Sequence, residues 1–328
     1  MRFRTESGTV VHVLPGKQPG AFVIMSGTHG VEGYGSEIVQ DAIKDAFNPE
    51  LSPTVFLVRK VNAWAYDHKE RFTEDGRDLN RAGDPNPPPN KYYPMVKKAV
   101  NKRHGSVEAL EAALTLGAMR HPILFAKASI QAGGPVKGIT EAIMSGQSQD
   151  DTGFEFRGTT VARELVQLGT LLHTHVPSRG PLIVWDLHTG VGEPGTGDIL
   201  ICDTDEERHL LTNALPPGGE SAQRIRQGGK GVYRVYGSAM GAIYRMIKGS
   251  PPARPDIVVT QEFATRPEKE VLLALVNKHA GDKDVDLKPM FYLEDTEWKR
   301  QVHDRGLQLY NDFLAYLRRP RRPRDLKF

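Results

Sequence analysis

Four short apolar runs divide the chain and predict buried β-strands. They are AFVIM (21–25), TVFLV (54–58), PLIVW (181–185) and DIVVT (256–260). Each run is rich in β-branched or aromatic residues and shows no helical period, which is typical of strands in the interior of a sheet.

Amphipathic segments alternate with these runs and predict helices. In SEIVQDAIKDAF (36–47) the apolar residues fall on one stripe, as in a helix that covers a sheet. Segments 106–119, 159–175 and 294–319 also have helical patterns. The alternation of strands and helices predicts an α/β fold with a largely parallel sheet.

Two segments are predicted to be irregular. The proline-rich segment 83–94 should be a stiff loop. Residues 131–158 are rich in Gly, Gln and Asp and should form a long loop, and such loops are usually functional or disordered. Since no linker is evident, we expect a single domain over residues 1–328. The basic tail, 318–328, is either a solvated terminus or an arm for nucleic acid or an acidic partner.

Composition narrows the classes of protein. A hydrophobic content of 39% and a charged content of 25% are those of a soluble globular protein. The net charge of +3 gives no reason to expect nucleic-acid or membrane binding. One cysteine, Cys202, excludes an internal disulfide framework, and the chain start lacks the apolar region of a signal peptide. We therefore expect a soluble, cytoplasmic protein.

Polar residues with catalytic potential follow the four predicted strands. Parallel strands place their carboxyl ends on one edge of a sheet, and ligands of open α/β sheets bind at that edge. Residues far apart in the chain would therefore converge there. The candidates are His29, Glu32, Arg71, Asn80, Arg81, His188 and Glu262.

The first candidate pair lies in MSGTHGVEGYGSE (25–37). The spacing of His29 and Glu32 is a weak signal alone, because a polar turn would show it too. Gly27, Gly30 and Gly33 leave the backbone free to fold tightly and to aim both side chains at one point. This pattern favours a metal site over a simple turn.

His188 would complete the metal site. Its alternative is a histidine that caps a strand or bonds within the core, but Asp186 lies two residues earlier and could orient the imidazole. Asp78 could orient His29 in the same way. Two histidines and a glutamate leave one position of tetrahedral Zn²⁺ open, which is the composition of a catalytic site. Manganese, iron and cobalt remain alternatives to zinc.

The remaining candidates suit hydrolysis of a carbonyl compound. Glu262 could be the general base, although a surface glutamate after a strand is the alternative. Asn80 and Arg81 could hold a substrate carboxylate, and Arg71 could polarise the scissile carbonyl. The alternative for either arginine is a surface ion pair.

Together these stretches resemble the carboxypeptidase A-like zinc peptidase superfamily, in particular the branch near aspartoacylase and succinylglutamate desuccinylase. The resemblance rests on SGTHGVEGYGSE, RFTEDGRDLNR, VWDLHTGVG and TQEF, in this order. It implies zinc ligands at His29, Glu32 and His188, second-sphere Asp78, substrate binding by Asn80 and Arg81, and catalysis by Arg71 and Glu262.

The resemblance also implies a fold and a reaction. The fold would be a central mixed sheet of about eight strands between helices. The long interval between Glu32 and His188 departs from the family pattern and predicts an insertion at about 83–180 over the active-site mouth. The reaction would be hydrolysis of an amide next to a free carboxylate, in a peptide or a small molecule. The alternatives are an aminoacylase or deacylase of N-acyl amino acids, and a non-catalytic binding protein. Tyr233, Tyr236, Tyr244 and Tyr292 are candidates for a tyrosine that closes over the substrate.

Overall fold

The structure is a computed structural model that describes residues 1–86, 88–132, 135–228, 231–232, 235–248 and 256–319. These residues contain nine strands in one sheet. The strands are β1 (Arg2–Arg4), β2 (Val10–Leu14), β3 (Gln18–Ser26), β4 (Pro53–Arg59), β5 (Leu182–Val191), β6 (Asp198–Cys202), β7 (Ile225–Gly228), β8 (Gly231–Val232) and β9 (Ile257–Arg266).

The sheet is mixed, and its centre is parallel. The strand order is β1-β2-β4-β3-β5-β9-β6-β7-β8. The four central strands, β4, β3, β5 and β9, are mutually parallel, whereas β2 and β6 run antiparallel to their neighbours β4 and β9. The predicted α/β fold with a largely parallel mixed sheet is thus confirmed, with nine described strands where about eight were expected.

Helices cover both faces of the sheet. In the described residues they are α1 (Gly33–Ala46), α2 (Ala63–His68), α3 (Tyr93–Val100), α4 (Val107–Arg120), α5 (Pro122–Ala132), α6 (Pro135–Met144), α7 (Arg163–His175), α8 (Asp205–Ala214), α9 (Glu220–Gln223), α10 (Ala239–Lys248), α11 (Glu268–His279), α12 (Lys288–Phe291) and α13 (Thr296–Arg318). A short 3-10 helix, Gly30–Glu32, precedes α1. None of the described helices is long and apolar enough to cross a bilayer.

Alternation along the strands separates two hydrophobic layers. On β3, Phe22 and Ile24 pack in the layer that contains α1 and α13. Val23 and Met25 point the other way, into the layer that contains α7 and α10. This two-sided burial follows from the period of two in a strand and explains why the runs read as continuously apolar.

Two central strands extend further than their apolar runs. The prediction placed His188 and Glu262 beyond the ends of their strands, and this detail is wrong. Strand β5 continues to Val191 and β9 to Arg266, with His188 paired with Glu262 in the ladder. The ladder needs only backbone groups, so it continues where the side chains become polar.

The prediction of a loop over 131–158 is also wrong in part. Residues 135–144 form α6, in which Ala142 and Ile143 are buried with Val96 of α3. The spacing of Ile139, Ala142 and Ile143 is helical, but the glycine-rich and polar composition of the whole segment hides it. Residues 145–158 are irregular apart from one bridge between Gln147 and Phe156.

The other boundaries differ less. The helix expected over 159–175 begins at Arg163, and that over 294–319 runs from Thr296 to Arg318. Helices α3 to α6 share a hydrophobic cluster with Val31 and Phe291, so they pack beside the turn that carries His29. Most of the basic tail, 320–328, lies outside the described residues.

Candidate metal centre and active site

The turn after β3 aims two candidate ligands at one point. Gly27 has a φ of +71°, which favours glycine, and the 3-10 helix Gly30–Glu32 follows directly. A Cβ on Gly30 would lie 2.1 Å from the backbone carbonyl carbon of Ala65 in α2. The glycine therefore permits a close approach of two backbone segments, which fixes the direction of His29 and Glu32.

Three donor groups converge beside the sheet. Nδ1 of His29 lies 2.8 Å from Oε1 of Glu32, and Nδ1 of His188 lies 2.8 Å from Oε2 of the same carboxylate. One ligand atom from each residue lies within 4.8 Å of the other two, and all three residues are buried. This arrangement can enclose a single metal ion.

An aspartate lies behind each imidazole. Nε2 of His29 is 3.0 Å from Oδ1 of Asp78, and Nε2 of His188 is 2.9 Å from Oδ2 of Asp186. Thr28, which the sequence did not single out, donates a hydrogen bond of 3.0 Å to Asp186. Such carboxylates fix the ring orientation and increase the basicity of the ligand nitrogen, as in known metal sites.

The electrostatics of the cluster favour a cation. Burial by itself would raise the pKa of Glu32, but the imidazoles of His29 and His188 hold it well below its usual range. Burial would lower the pKa of His188, whereas Asp186 and Glu32 raise it well above its usual range. These opposite shifts favour positive charge next to Glu32, and metal ions compete with protons for such ligands.

The donor set itself fits zinc. Two imidazoles and one carboxylate are the ligands of several catalytic zinc sites and leave one position free. Cys202, the one cysteine of the chain, is buried in β6 among core residues and is no part of the cluster. The chemistry of the donors therefore agrees with zinc and with other divalent ions that accept nitrogen and oxygen ligands.

Glu262 lies beside His188 on the same face of the sheet, because paired residues of neighbouring parallel strands point the same way. Its side chain passes over Gly190, where a Cβ would lie 2.9 Å from Oε1 of Glu262. Burial and the charge of Glu32 raise the pKa of Glu262 to about 8. A carboxyl group with this pKa can both accept and donate a proton near neutral pH.

Arg71 lies against the metal donors. Its Nη1 donates to Oε1 of Glu32 at 3.0 Å and lies 3.1 Å from Nδ1 of His29. Its Nη2 donates to Oδ2 of Asp78 at 3.3 Å. The structure therefore brings Arg71 into the cluster, as the sequence predicted.

Asn80 and Arg81 are also next to the cluster but face inward. The side-chain oxygen of Asn80 accepts a hydrogen bond of 3.0 Å from the backbone N–H of Ala239, at the start of α10. Arg81 is only 1% exposed, and its Nε donates to the carbonyl oxygen of Met144 at 2.7 Å. The guanidinium of Arg81 therefore does not face open solvent.

A residue that the sequence did not suggest joins these arginines. Glu155, from the irregular part of the 83–180 segment, is 1% exposed. Its Oε1 lies 3.4 Å from Nε of Arg71, and its Oε2 lies 3.8 Å from Nη2 of Arg81. No pattern marks this residue, because its segment lacks regular structure and its contacts are distant in the chain.

The candidate tyrosines lie in different places. Tyr244 donates a hydrogen bond of 3.1 Å to Asp256, and Tyr292 packs edge-on against Trp298. Tyr236 lies close enough to Arg157 to interact with its charge. Tyr233 lies outside the described residues.

A family model covers most of the chain. The family is described as "Protein of unknown function (DUF2817)", and its model matches residues 9–305. The chain belongs to this family. No curated protein matches the sequence.

Solved structures similar to this chain were found at low sequence identity. One is a succinylglutamatedesuccinylase/aspartoacylase from Rhodobacter sphaeroides, at 14% identity and a TM-score of 0.36, with 90% of this chain and 64% of that chain covered. Another is thrombin activatable fibrinolysis inhibitor, at 12% identity and a TM-score of 0.48, with coverage of 97% and 69%. A third is carboxypeptidase A from Helicoverpa armigera, at 10% identity and a TM-score of 0.42, with coverage of 92% and 66%. The chain thus spans about two thirds of the length of each of these structures.

Proposed function

We propose that this protein is a zinc-dependent hydrolase of an amide bond. The observation that supports the proposal most strongly is the convergence of His29, Glu32 and His188 within 4.8 Å, with Glu262 beside them. Purely structural zinc sites have four protein ligands, whereas three ligands with an adjacent acid suit catalysis.

The roles of the residues follow from their positions. A zinc ion held by the three donors would act as a Lewis acid and would make water more acidic. Glu262 would take a proton from the attacking water and return it to the leaving nitrogen. Arg71 would donate hydrogen bonds to the carbonyl oxygen as negative charge develops on it. Asp78 and Asp186 would hold the two imidazoles in place.

The finer prediction is an amide next to a free carboxylate, held by Asn80 and Arg81. It requires the guanidinium of Arg81 to reach the substrate. In this structure Arg81 is buried beneath the segment that carries Met144 and Glu155. Peptides with free and amidated C-termini, together with N-acyl amino acids and their amides, would distinguish a carboxypeptidase, an aminoacylase and a hydrolase of uncharged amides.

The first test is metal content. Protein purified with zinc present and then dialysed should contain about one ion per chain by elemental analysis. His29→Ala and His188→Ala should each lose it, because two of three ligands cannot hold zinc tightly. Zinc-free wild-type protein would favour the alternative of a non-catalytic binding protein.

The second test is turnover. Glu262→Gln preserves shape but cannot accept the proton, so it should retain zinc and lose roughly 10²–10⁴-fold in kcat on the best amide of the panel. Glu193→Gln, which changes a glutamate after β5 whose side chain is outside the cluster, is the control and should behave as wild type. Near-normal turnover by Glu262→Gln would remove Glu262 from the mechanism.

A further inference from the structure

The side chain of Glu155 fills the space between two guanidinium groups that would otherwise suit a carboxylate ligand. Arg71 approaches it from one side and Arg81 from the other, at 3.4 Å and 3.8 Å. Paired arginines are the preferred partners of carboxylates in proteins. Both carboxyl oxygens of Glu155 are buried, and each forms an ion pair with one of the two guanidinium groups.

The backbone holds Glu155 firmly in this position. The carbonyl oxygen of Glu155 accepts a hydrogen bond of 3.0 Å from Gln147, and that of Phe156 accepts one of 2.6 Å from the N–H of Asp78. Glu155 has a φ of +54°, a backbone conformation that is unfavourable for a residue with a side chain. Strain of this kind persists only where the surroundings enforce it, and it is common at functional sites.

Electrostatic repulsion by the carboxyl group of Asp78 does not move Glu155 out of the space between Arg71 and Arg81. Burial and Asp78 raise the pKa of Glu155 well above its usual range, although Arg71 and Arg81 oppose this. A protonated Glu155 can donate a hydrogen bond to Asp78 while its side chain stays between the two arginines.

We propose that Glu155 occupies the carboxylate subsite at Arg81, beside Arg71, so that the enzyme selects amides whose leaving amine carries no carboxylate. This inference rests on the proposed amide hydrolysis and specifies its substrate class. Suitable substrates would be N-acyl amines and amidated or internal peptide amides. A substrate carboxylate would have to displace a side chain that the fold holds in place.

The test compares matched substrates. For wild type, kcat/KM for an N-acyl amino acid amide should exceed that for the corresponding free acid by at least tenfold. Glu155→Gly removes the side chain and suits the positive φ, so this ratio should fall at least tenfold. Glu155→Gln fills the same space and should keep the wild-type ratio. Asp151→Asn, an exposed change in the same segment, is the control.

A binding experiment separates this inference from the proposed function. By titration calorimetry, N-acetylglycine should bind Glu155→Gly at least tenfold more tightly than wild type, whereas N-acetylglycinamide should bind both equally. If the binding results are as expected but no amide of the panel is hydrolysed, Glu155 is supported as the occupant of the carboxylate subsite and amide hydrolysis is rejected.

Three results would overturn the inference. They are a wild-type preference for free acids, an unchanged substrate ratio in Glu155→Gly, and equal N-acetylglycine binding by both proteins. If Glu155→Gly does not fold, Glu155→Asp, which withdraws the carboxylate by one methylene, takes its place. The wild-type preference remains decisive in either case.

Discussion

Replacement of Gly190 by alanine should reduce catalysis far more than stability. A Cβ at this position would lie 2.9 Å from Oε1 of Glu262 and 3.3 Å from the ring of Phe291. An ordinary contact begins at 3.4 Å, so the carboxylate would have to move by about 0.5 Å. The carboxylate ends a flexible side chain, and it can therefore move without displacement of the backbone.

The magnitudes separate the two effects. A side chain moved off its preferred rotamer costs about 0.5–1.5 kcal/mol. Alanine in place of a strand glycine regains about 0.5–1 kcal/mol, because it restricts the unfolded chain. The net change in stability should thus be below about 1 kcal/mol. A misplacement of 1 Å in a catalytic group can cost about 10²-fold, so a shift of half that size should reduce kcat about tenfold.

The assay measures kcat for the best amide of the panel, zinc content and thermal unfolding in Gly190→Ala. Gly105→Ala is the matched control, because a Cβ at Gly105 would have no neighbour within 4 Å. The variant should keep zinc and its melting temperature to within about 2–4 °C. Wild-type kcat in Gly190→Ala would refute the placement of Glu262 as the base, whereas loss of zinc would show that the metal ligands had moved instead.

Two other predictions concern metal affinity and pH. Asp186→Asn should weaken zinc binding about 10–100-fold in a chelator competition, because the amide orients His188 but does not supply negative charge. Exposed Asp284→Asn is the control. Equal zinc affinity in Asp186→Asn and wild type would contradict the role of Asp186. Burial and the charge of Asp203 raise the pKa of Glu207 to about 7, above the ordinary value of 4.5. The folded state therefore binds this proton more tightly than the unfolded state does. The free energy of unfolding should fall as the pH rises from 4.5 to about 7. A shift of this size corresponds to about 3 kcal/mol, which the partial exposure of Glu207 should reduce to about 1–2 kcal/mol. Glu207→Gln should remove this pH dependence in urea unfolding at pH 4.5 and 8, and an unchanged difference between the two pH values would exclude Glu207 as its source.

The central sheet could be predicted because its signal is local. Four apolar runs identify β3, β4, β5 and β9, and their parallel arrangement follows from the helices between them. The positions of His29 and His188 were predictable for the same reason. Once β3 and β5 are neighbours, residues 159 positions apart are brought to the same edge by the sheet alone.

The extent of the strands was less predictable, although the relevant pattern is present. On β5, Leu182 and Val184 face the layer that contains α7 and α10, and Asp186, His188 and Gly190 continue the same alternation. One face of the strand therefore changes from apolar to polar within ten residues. Attention to apolar runs alone ends the strand too early, whereas the period of two continues through the site.

Residues of the irregular segment 145–158 could not be assigned in this way. Glu155 depends on two contacts, the bridge of Gln147 with Phe156 and the bond between Asp78 and Phe156, and neither has a local signature. The same segment covers Arg81, which the motif alone would place in an open pocket. Motif residues thus indicate which groups are present, but long-range packing decides which of them a substrate can reach.

The excess of buried carboxyl groups in the cluster links metal binding to the stability of the folded protein. The site contains more carboxyl groups than permanently charged cations. Its cations are the guanidinium groups of Arg71 and Arg81. Its carboxyl groups are those of Glu32, Asp78, Glu155, Asp186 and Glu262. Buried carboxylates without a balancing charge are costly, so protons or a cation must compensate for them. The pKa values of Glu155, His188 and Glu262 are raised, which favours the protonated forms of these groups. A divalent ion between the two imidazoles would release some of these protons, and so metal affinity and the charge of Glu262 are properties of one coupled cluster.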